Sequence, residues 1–303
     1  MSLRRNTIWN LAGSGLPLIA AAGLIPFTFH RLGNEAFGVL TLIWALIGYF
    51  SLFDMGVGRA LTYELSKLRA TNNASEISLT LKAGLILTLA AGLLGATVMW
   101  VLAPYLATNW LKISPALQQD AMLVFKIAAI GVIPTTITSG LRGALEGLGR
   151  FAESNLNKIF LGFCMFVLPA LSIVVHGNHL WVITLYLVLA RLMVLISATV
   201  QLRDYIFVPT TGLVKNYLKP LVNYGVWVTV TGIVGPLMVY GDRFFVSAAV
   251  GAALLPLYAI PQEGLQRLLM IPAALCGALL PQLAALSPQN TAATYQRNYK
   301  RVA

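Results

Sequence analysis

The chain has too few charged side chains to cover a water-soluble protein of its length. It has 303 residues, of which 58% are hydrophobic and only 10% are Asp, Glu, Lys or Arg, and its mean hydropathy is +0.77. Because soluble domains carry roughly 25% charged residues, much of this chain must face lipid. Cytoplasmic loops rich in Lys and Arg explain the formal net charge of +11, and no basic patch interleaved with aromatic residues indicates nucleic-acid binding.

Apolar runs predict an all-α integral membrane protein with about eight transmembrane helices. A spanning helix needs about 20 mostly apolar residues. The segments that meet this requirement are Ile8–Phe29, Phe37–Leu61, Leu81–Ala103, Asp120–Gly140, Ile159–Val175, Trp181–Leu202, Leu221–Gly241 and Ala253–Ala284. The last contains Pro256, Pro261, Pro272 and Pro281, so we expect it to be kinked or broken.

The distribution of Lys and Arg predicts that the N-terminus is cytoplasmic. With this orientation, the outside segments hold three basic residues: Arg31, Lys112 and Arg243. The inside segments hold 14: Arg4, Arg5, Lys67, Arg69, Lys82, Arg142, Arg150, Lys158, Arg203, Lys215, Lys219, Arg297, Lys300 and Arg301. Short cytoplasmic loops carry an excess of basic residues in membrane proteins, and the excess here alternates through every loop.

An internal similarity predicts two lobes. The first helix runs from Asn10 to Arg31 and the seventh from Asn223 to Arg243, and both contain glycines and a proline. Six helices per unit is typical of a parallel transporter repeat. We therefore expect a six-helix lobe over residues 1–204, a cytoplasmic linker over 205–220 and the first two helices of a second lobe over 221–303, with the rest of that lobe missing. The linker is equally well interpreted as an amphipathic surface segment or as a plain connection.

The sequence predicts no catalytic site, no cofactor and no metal centre. Nucleophile-elbow, Walker and zinc-protease motifs are absent. Cys164 and Cys276 lie in apolar runs without C-x-x-C spacing, so neither a disulfide framework nor a metal site is expected.

Two arginines at the centre of predicted spans are candidate binding residues. A central charge costs roughly 2.5–3.5 kcal/mol on insertion scales, so it should face a bundle interior or water. Arg191 has no acidic residue three or four positions away, whereas Arg267 follows Glu263 by four. Two interpretations of Arg267 stay open: a cavity cation that holds an anionic head group, or an ion pair with Glu263.

Other charged residues lie nearer the helix ends. Arg59 and Lys126 are long enough to reach a head-group region. Asp54 is deeper in its helix, where helix packing or ion coupling would explain it. Asp242 and Arg243, at the outer end of the seventh helix, form either a gate or an interfacial cap.

The chain resembles a known transporter family over nearly its whole length. The matching stretches are Arg31–Ser66, Leu141–Ile159 and Gly241–Ala284, with Phe37-Gly38 and Phe53-Asp54-x-Gly56-x-Gly58 as the most specific parts. They resemble the Wzx-type O-antigen flippases, which belong to the multidrug/oligosaccharidyl-lipid/polysaccharide (MOP) superfamily. Members of that family normally have twelve or more helices, so the resemblance implies that this chain is cut short at its C-terminus.

The resemblance implies a MATE-like bundle of two lobes around a partly cationic cavity. The implied substrate is an undecaprenyl-pyrophosphate-linked oligosaccharide, moved from the cytoplasmic to the periplasmic leaflet of the bacterial inner membrane. A polysaccharide polymerase and a chain-length regulator are the implied protein partners. By position, the candidate cavity cations are Arg59, Lys126, Arg191 and Arg267, and Asp54 and Glu263 would tune them or couple an ion.

Three other functions remain open at the level of sequence. A drug or metabolite antiporter of the same superfamily would share the fold, but four cations in the spans argue against a cavity for organic cations. A membrane enzyme of polysaccharide assembly would need a large outside loop, whereas the longest here is Pro104–Gln119. A scaffold without transport activity is the third alternative.

Overall fold

The computed structural model describes residues 20–50, 56–71, 73–209 and 212–266. These residues form helices and short connections, with no strand among them. In chain order the helices are α1 (20–32), α2 (Asn34–Phe50), α3 (Val57–Thr71), α4 (Ala74–Tyr105), α5 (Pro115–Gly147), α6 (Phe151–His176), α7 (Leu180–Gln201), α8 (Arg203–Ile206), α9 (Lys215–Val250) and α10 (255–266). The π-helical turn Leu106–Trp110 extends α4.

Four helices in the described part of the chain are long and apolar enough to span a bilayer. They are α4 with its π-helical extension, α5, α6 and α7. The helices α4, α5 and α6 are longer than the apolar runs that predicted them, because their ends continue beyond the most apolar residues, whereas α7 has the predicted length, shifted by one residue. The total of eight spans stays a prediction, since the first and last predicted helices extend beyond the described residues.

The prediction of one uninterrupted helix over Phe37–Leu61 is wrong. Gly56 lies outside a helix with φ +67°, and α3 begins at the next residue. This left-handed conformation is accessible to glycine at little cost and cannot continue a right-handed helix. The Gly56 carbonyl instead accepts the first hydrogen bond of α3, from the N–H of Ala60 at 3.0 Å.

The seventh predicted helix also differs from the structure. The helix α9 begins at Lys215 and ends at Val250, so it includes part of the segment expected to be a linker. The next residue, Gly251, has φ +90°, and α10 follows after a turn. Asp242 and Arg243 therefore lie about two turns before the end of α9.

The helix α5 is the centre of the bundle and contacts α2, α3, α4, α6 and α7. Two apolar clusters lie on either side of its midpoint. One joins α2 to the first half of α5 and includes Phe37, Trp44 and Phe125. The other joins α3 to the second half of α5 and includes Leu61 and Leu145. By contrast, α4 exposes a long row of apolar side chains to the outside of the bundle, as expected for a lipid-facing helix.

The connections lie at two opposite ends, as an alternating topology requires. At one end, Asn178 donates to the Arg31 carbonyl at 2.7 Å, the Ser114 N–H donates to Glu35 Oε1 at 2.6 Å, and Lys112 donates to the Ala249 carbonyl at 2.7 Å. These are the segments expected outside.

At the other end, Ser78 donates to the Tyr205 carbonyl at 2.6 Å, and Lys82 donates to the Val208 carbonyl at 2.7 Å. This second end, which also contains Arg69, Arg150 and Arg203, is called the basic end below. It contains the segments expected inside, while its cytoplasmic orientation remains a proposal.

Candidate substrate site

A groove of about 320 Å³ lies between α5, α6 and α7. Its lining residues are Thr135, Thr138, Ser139, Arg142, Asn157, Lys158, Leu161, Gly162, Cys164, Met165, Leu187, Ala190, Arg191, Val194 and Ala198. The groove runs beside α7 from Ala198, near the basic end, to Leu187 at about the middle of that helix, a length of roughly 16 Å. Its volume is at the lower end of the range for small-molecule sites, which suits a charged head group better than a whole oligosaccharide.

Arg191 lies at the deep end of the groove. Its side chain is half-buried, and its Nη1 donates to the Leu187 carbonyl one turn earlier at 2.7 Å. No acidic side chain among the described residues pairs with it. A guanidinium has five N–H donors, so most of its hydrogen-bonding capacity is available to a ligand or to water. The sequence predicted that Arg191 faces the bundle interior or water, and its role as a binding cation stays a prediction.

Two further basic residues stand at the mouth of the groove, at the basic end. Arg142 lies near the end of α5 and Lys158 in the second turn of α6, and both are exposed. In the sequence, Arg142 and Lys158 are only two of the basic residues of the inside segments, and their proximity was not predicted. The available signal was the short connection 148–150 between two predicted helices, which makes α5 and α6 a tight hairpin and brings residues on either side of it together.

Asn157 fixes the wall of the groove beside Lys158. Its Nδ2 donates to Gln201 Oε1 at 3.0 Å, and its Oδ1 accepts from Ser197 at 3.1 Å. These bonds join α6 to α7. Buried polar groups that are fully paired in this way rigidify a helix interface, so the mouth of the groove has a fixed shape.

The structure does not bring Arg59 or Lys126 to this groove. Arg59 is exposed on α3, and Lys126 lies with its Nζ 5.6 Å from the centre of the Trp100 ring. Trp100 is on the exposed face of α4, so Lys126 is close to the bundle surface. Asp54 and Arg267 lie outside the described residues.

Asp242, Arg243 and Glu263 belong to one hydrogen-bonded network between α9 and α10, in which Arg243 and Glu263 are buried. The Arg243 side chain is 1% exposed, and its Nη2 donates to Glu263 Oε2 at 2.9 Å. Its Nε donates to Gln262 Oε1 at 3.1 Å. Asp242 accepts from the Tyr258 hydroxyl and from Gln262 Nε2, both at 2.5 Å. Arg243 was counted as an outside loop residue from the sequence, whereas burial makes it part of helix packing.

Metal ligands do not cluster in the part of the chain that the structure describes: no three His, Cys, Asp or Glu residues converge there. His176 instead shares a hydrogen bond with the Tyr186 hydroxyl at 2.8 Å, and Cys164 is a buried free thiol in the wall of the groove. The polar groups that line the groove are the cationic side chains of Arg142, Lys158 and Arg191, the hydroxyls of Thr135, Thr138 and Ser139, and the Asn157 amide.

Comparison with known sequences gives consistent matches. The profile of a family described as "Polysaccharide biosynthesis protein" matches residues 3–287. A Shigella flexneri protein named "Putative O-antigen transporter" is 32% identical over 284 residues, which cover 93% of this chain and 67% of that protein. A Salmonella typhi protein of the same name is 28% identical over 124 residues, covering 39% of this chain and 28% of that protein.

Comparison with solved structures gives the fold. A multidrug-resistance MATE transporter of the MOP superfamily, in an inward-facing conformation, superposes with a TM-score of 0.66 at 16% identity, covering 88% of this chain and 60% of that one. A MOP superfamily transporter from Pyrococcus furiosus, described as having a binding pocket of reverse polarity, gives 0.63 at 13% identity, covering 86% and 62%. The fold is therefore MATE-like, as predicted, and the chain spans about three fifths of the length of these transporters.

Proposed function

We propose that this chain, which belongs to the polysaccharide biosynthesis protein family, is a flippase for lipid-linked oligosaccharides. The chain is a multi-pass membrane protein, and its relatives are named as O-antigen transporters. The proposed substrate is an oligosaccharide linked to undecaprenyl pyrophosphate, which moves from the cytoplasmic to the periplasmic leaflet of the inner membrane. A polymerase and a chain-length regulator of polysaccharide assembly are the proposed partners.

One observation supports this function above the others: Arg191 lies in the groove, and no acidic side chain in the described ranges pairs with it. A pyrophosphate and its sugars cannot cross hydrocarbon unaided, because removing their water is prohibitive. An unpaired guanidinium at mid-helix replaces part of that water with charge-assisted hydrogen bonds. A cationic groove disfavours the antiporter alternative, since an organic cation would be repelled there.

The proposed mechanism needs no covalent step, so the chain would not be an enzyme. The lipid tail stays in the bilayer while the head group occupies the polar groove, and the lobes rock to open alternate sides. Because the sequence has no ATP-binding motif, an ion gradient or the substrate's own gradient would drive the cycle. Asp54 remains a candidate for ion coupling. Glu263 would have to exchange its bond to Arg243 to serve that role.

Replacing the central arginine tests the function. In a strain that lacks its own O-antigen transporter and expresses the chain, we expect Arg191→Ala to lower surface polysaccharide roughly tenfold, the loss expected for one charged hydrogen bond. Arg191→Lys should retain part of the activity, because it keeps the charge. Gel analysis of lipopolysaccharide gives the readout, and immunoblotting checks that protein level is unchanged. Arg267→Ala, predicted from the sequence alone, is expected to act in the same way.

Arg203→Ala is the matched control, because Arg203 is an exposed arginine just beyond α7 and pairs with neighbouring Asp204 at the surface. Its polysaccharide level should match that of the unmodified chain. If Arg191→Ala leaves polysaccharide unchanged, Arg191 is not in the transport path. If Arg191→Ala lowers both the melting temperature of the protein and the amount of surface polysaccharide, the role of Arg191 is structural.

A further inference from the structure

We propose that the mouth of the groove binds the phosphate group of a membrane lipid, held by Arg142 and Lys158. The site is at the basic end, between α5 and α6, and is distinct from Arg191 at the deep end of the groove. Three observations support it: an unpaired lysine, an excess of positive charge and a buried hydroxyl without a partner.

Lys158 makes no hydrogen bond or ion pair with any residue that the structure describes. It is exposed, and the nearest charges are those of Arg142 and Glu146. The positive charge of Arg142 repels the Lys158 ammonium. Glu146, the acid that acts on Lys158, is engaged by Arg142 at 3.1 Å and by the Ser154 hydroxyl at 2.9 Å. The ammonium therefore has all three of its donors available.

The lining of the groove carries an excess of positive charge. Arg142, Lys158 and Arg191 supply three positive charges, and Glu146 beside the mouth supplies one negative charge, which leaves two. A phosphate or pyrophosphate group carries a matching negative charge. Arg and Lys are the side chains that bind phosphate most often, through charge-assisted hydrogen bonds.

Thr138 provides the third observation. The neighbouring Thr135 and Thr136 hydroxyls each donate to a carbonyl of their own helix, at 2.6 and 2.9 Å. The Thr138 hydroxyl is buried and has no such partner, although Thr138 lines the same groove. A buried hydroxyl without a partner is unfavourable, so a bound phosphate oxygen would satisfy it.

The position of the site suits a lipid head group better than a soluble anion. Arg142 lies in the last two turns of α5 and Lys158 in the second turn of α6, so in a bilayer both would lie near the level of one leaflet's phosphates. Arg191 is seven residues from Ala198 along α7, or roughly 10 Å deeper. A lipid can therefore reach the mouth without leaving its leaflet. Two sources share this chemistry, an ordinary anionic phospholipid and the lipid-linked substrate, and only the second of them rests on the proposed function.

A lipid-binding titration tests the site directly. The full chain is placed in phosphatidylcholine nanodiscs and titrated separately with undecaprenyl pyrophosphate, undecaprenyl phosphate and phosphatidylglycerol, and bound lipid is counted by native mass spectrometry. We expect Arg142→Gln/Lys158→Gln to weaken binding at least roughly tenfold. The control Lys215→Gln/Lys219→Gln removes two exposed cations at the same end, outside the groove, and should leave affinity unchanged.

Thr138→Val keeps the proposal testable if the double variant is poorly folded. Valine has nearly the shape of threonine and removes only the unpartnered hydroxyl, so the melting temperature should be unchanged or higher while lipid affinity falls. A loss of affinity for the polyprenyl lipids alone identifies the substrate as the occupant. An equal loss for phosphatidylglycerol also supports the site and assigns it to phospholipid. Equal losses in the groove variants and in the lysine control would overturn the proposal.

The result is separable from that of the transport experiment. Unchanged lipid binding in the groove variants, with transport still dependent on Arg191, would remove the mouth site and leave the flippase function intact. Phosphate binding that depends on Arg142 and Lys158, in a chain that never supports polysaccharide export, would remove the flippase function and leave the site intact.

Discussion

Gly143→Ala should destabilise the chain by about 3 kcal/mol, although it adds a single methyl group. A Cβ atom at residue 143 would lie 2.0 Å from the carbonyl oxygen of Gly58 and 2.6 Å from its carbonyl carbon. Both are backbone atoms of α3, so they can move only if α3 and α5 separate. Overpacking a tight contact typically costs 1–3 kcal/mol and sometimes more. The measurement is the melting temperature of the purified protein in detergent, taken as the temperature at which its monodisperse peak is lost.

The contact between α3 and α5 makes this glycine unusually sensitive. Gly143 and Gly147 lie on one face of α5, and a Cβ atom at residue 147 would lie 2.8 Å from the Thr62 carbonyl oxygen. The Thr62 hydroxyl donates across the same contact to the Gly143 carbonyl at 3.0 Å. Small residues allow such close approach of helix backbones in membranes, and here the approach leaves no room for any side chain.

Gly23→Ala is the matched control. Gly23 lies in α1, and a Cβ atom there would meet nothing within 4 Å. Because alanine is favoured over glycine by about 1 kcal/mol inside a helix, this variant should be at least as stable as the unmodified chain. Equal melting temperatures for Gly143→Ala and Gly23→Ala would show that α3 and α5 do not approach as closely as described.

The apolar runs were sufficient to predict α4, α5, α6 and α7, because lipid requires every backbone group in a span to be paired within the helix. The predicted runs at Leu81–Ala103 and Ile159–Val175 both lie inside observed helices. The break at Gly56 was missed for the same reason. Hydrophobicity alone cannot distinguish a glycine that continues a helix from one at φ +67°.

The candidate site could be predicted only in part. A single residue such as Arg191 is conspicuous in the sequence, because a charge within an apolar run needs an explanation. The mouth of the groove depends instead on Arg142 and Lys158 from two helices, and each alone is typical of a loop charge. Their role became apparent only when the α5–α6 hairpin placed them side by side. Pairing between distant residues is a property of helix packing, which composition and periodicity do not encode.

The pairing of Glu263 illustrates the same limit with a large expected effect. The sequence offered Arg267, four residues later, as its partner, and Arg267 lies outside the described residues. The structure places the Arg243 guanidinium, which the sequence did not offer, 2.9 Å from the Glu263 carboxylate, across the turn between α9 and α10. Glu263→Gln would leave the charge of Arg243 buried without its counter-charge. Removing one partner of a buried pair costs about 3–5 kcal/mol, so we expect a large fall in melting temperature.

Two further variants distinguish the loss of a buried counter-charge from the loss of an acidic side chain in general. Asp204→Asn makes the same change in the pair Arg203–Asp204, whose side chains are 70% and 76% exposed, and should cost less than about 1 kcal/mol. The double variant Arg243→Met/Glu263→Leu removes both charges, so it should recover much of the stability lost in Glu263→Gln, because apolar residues can replace a buried pair without penalty. A double variant less stable than Glu263→Gln would show that Arg243 is stabilised chiefly by Gln262 and the surrounding dipoles, rather than by the carboxylate of Glu263.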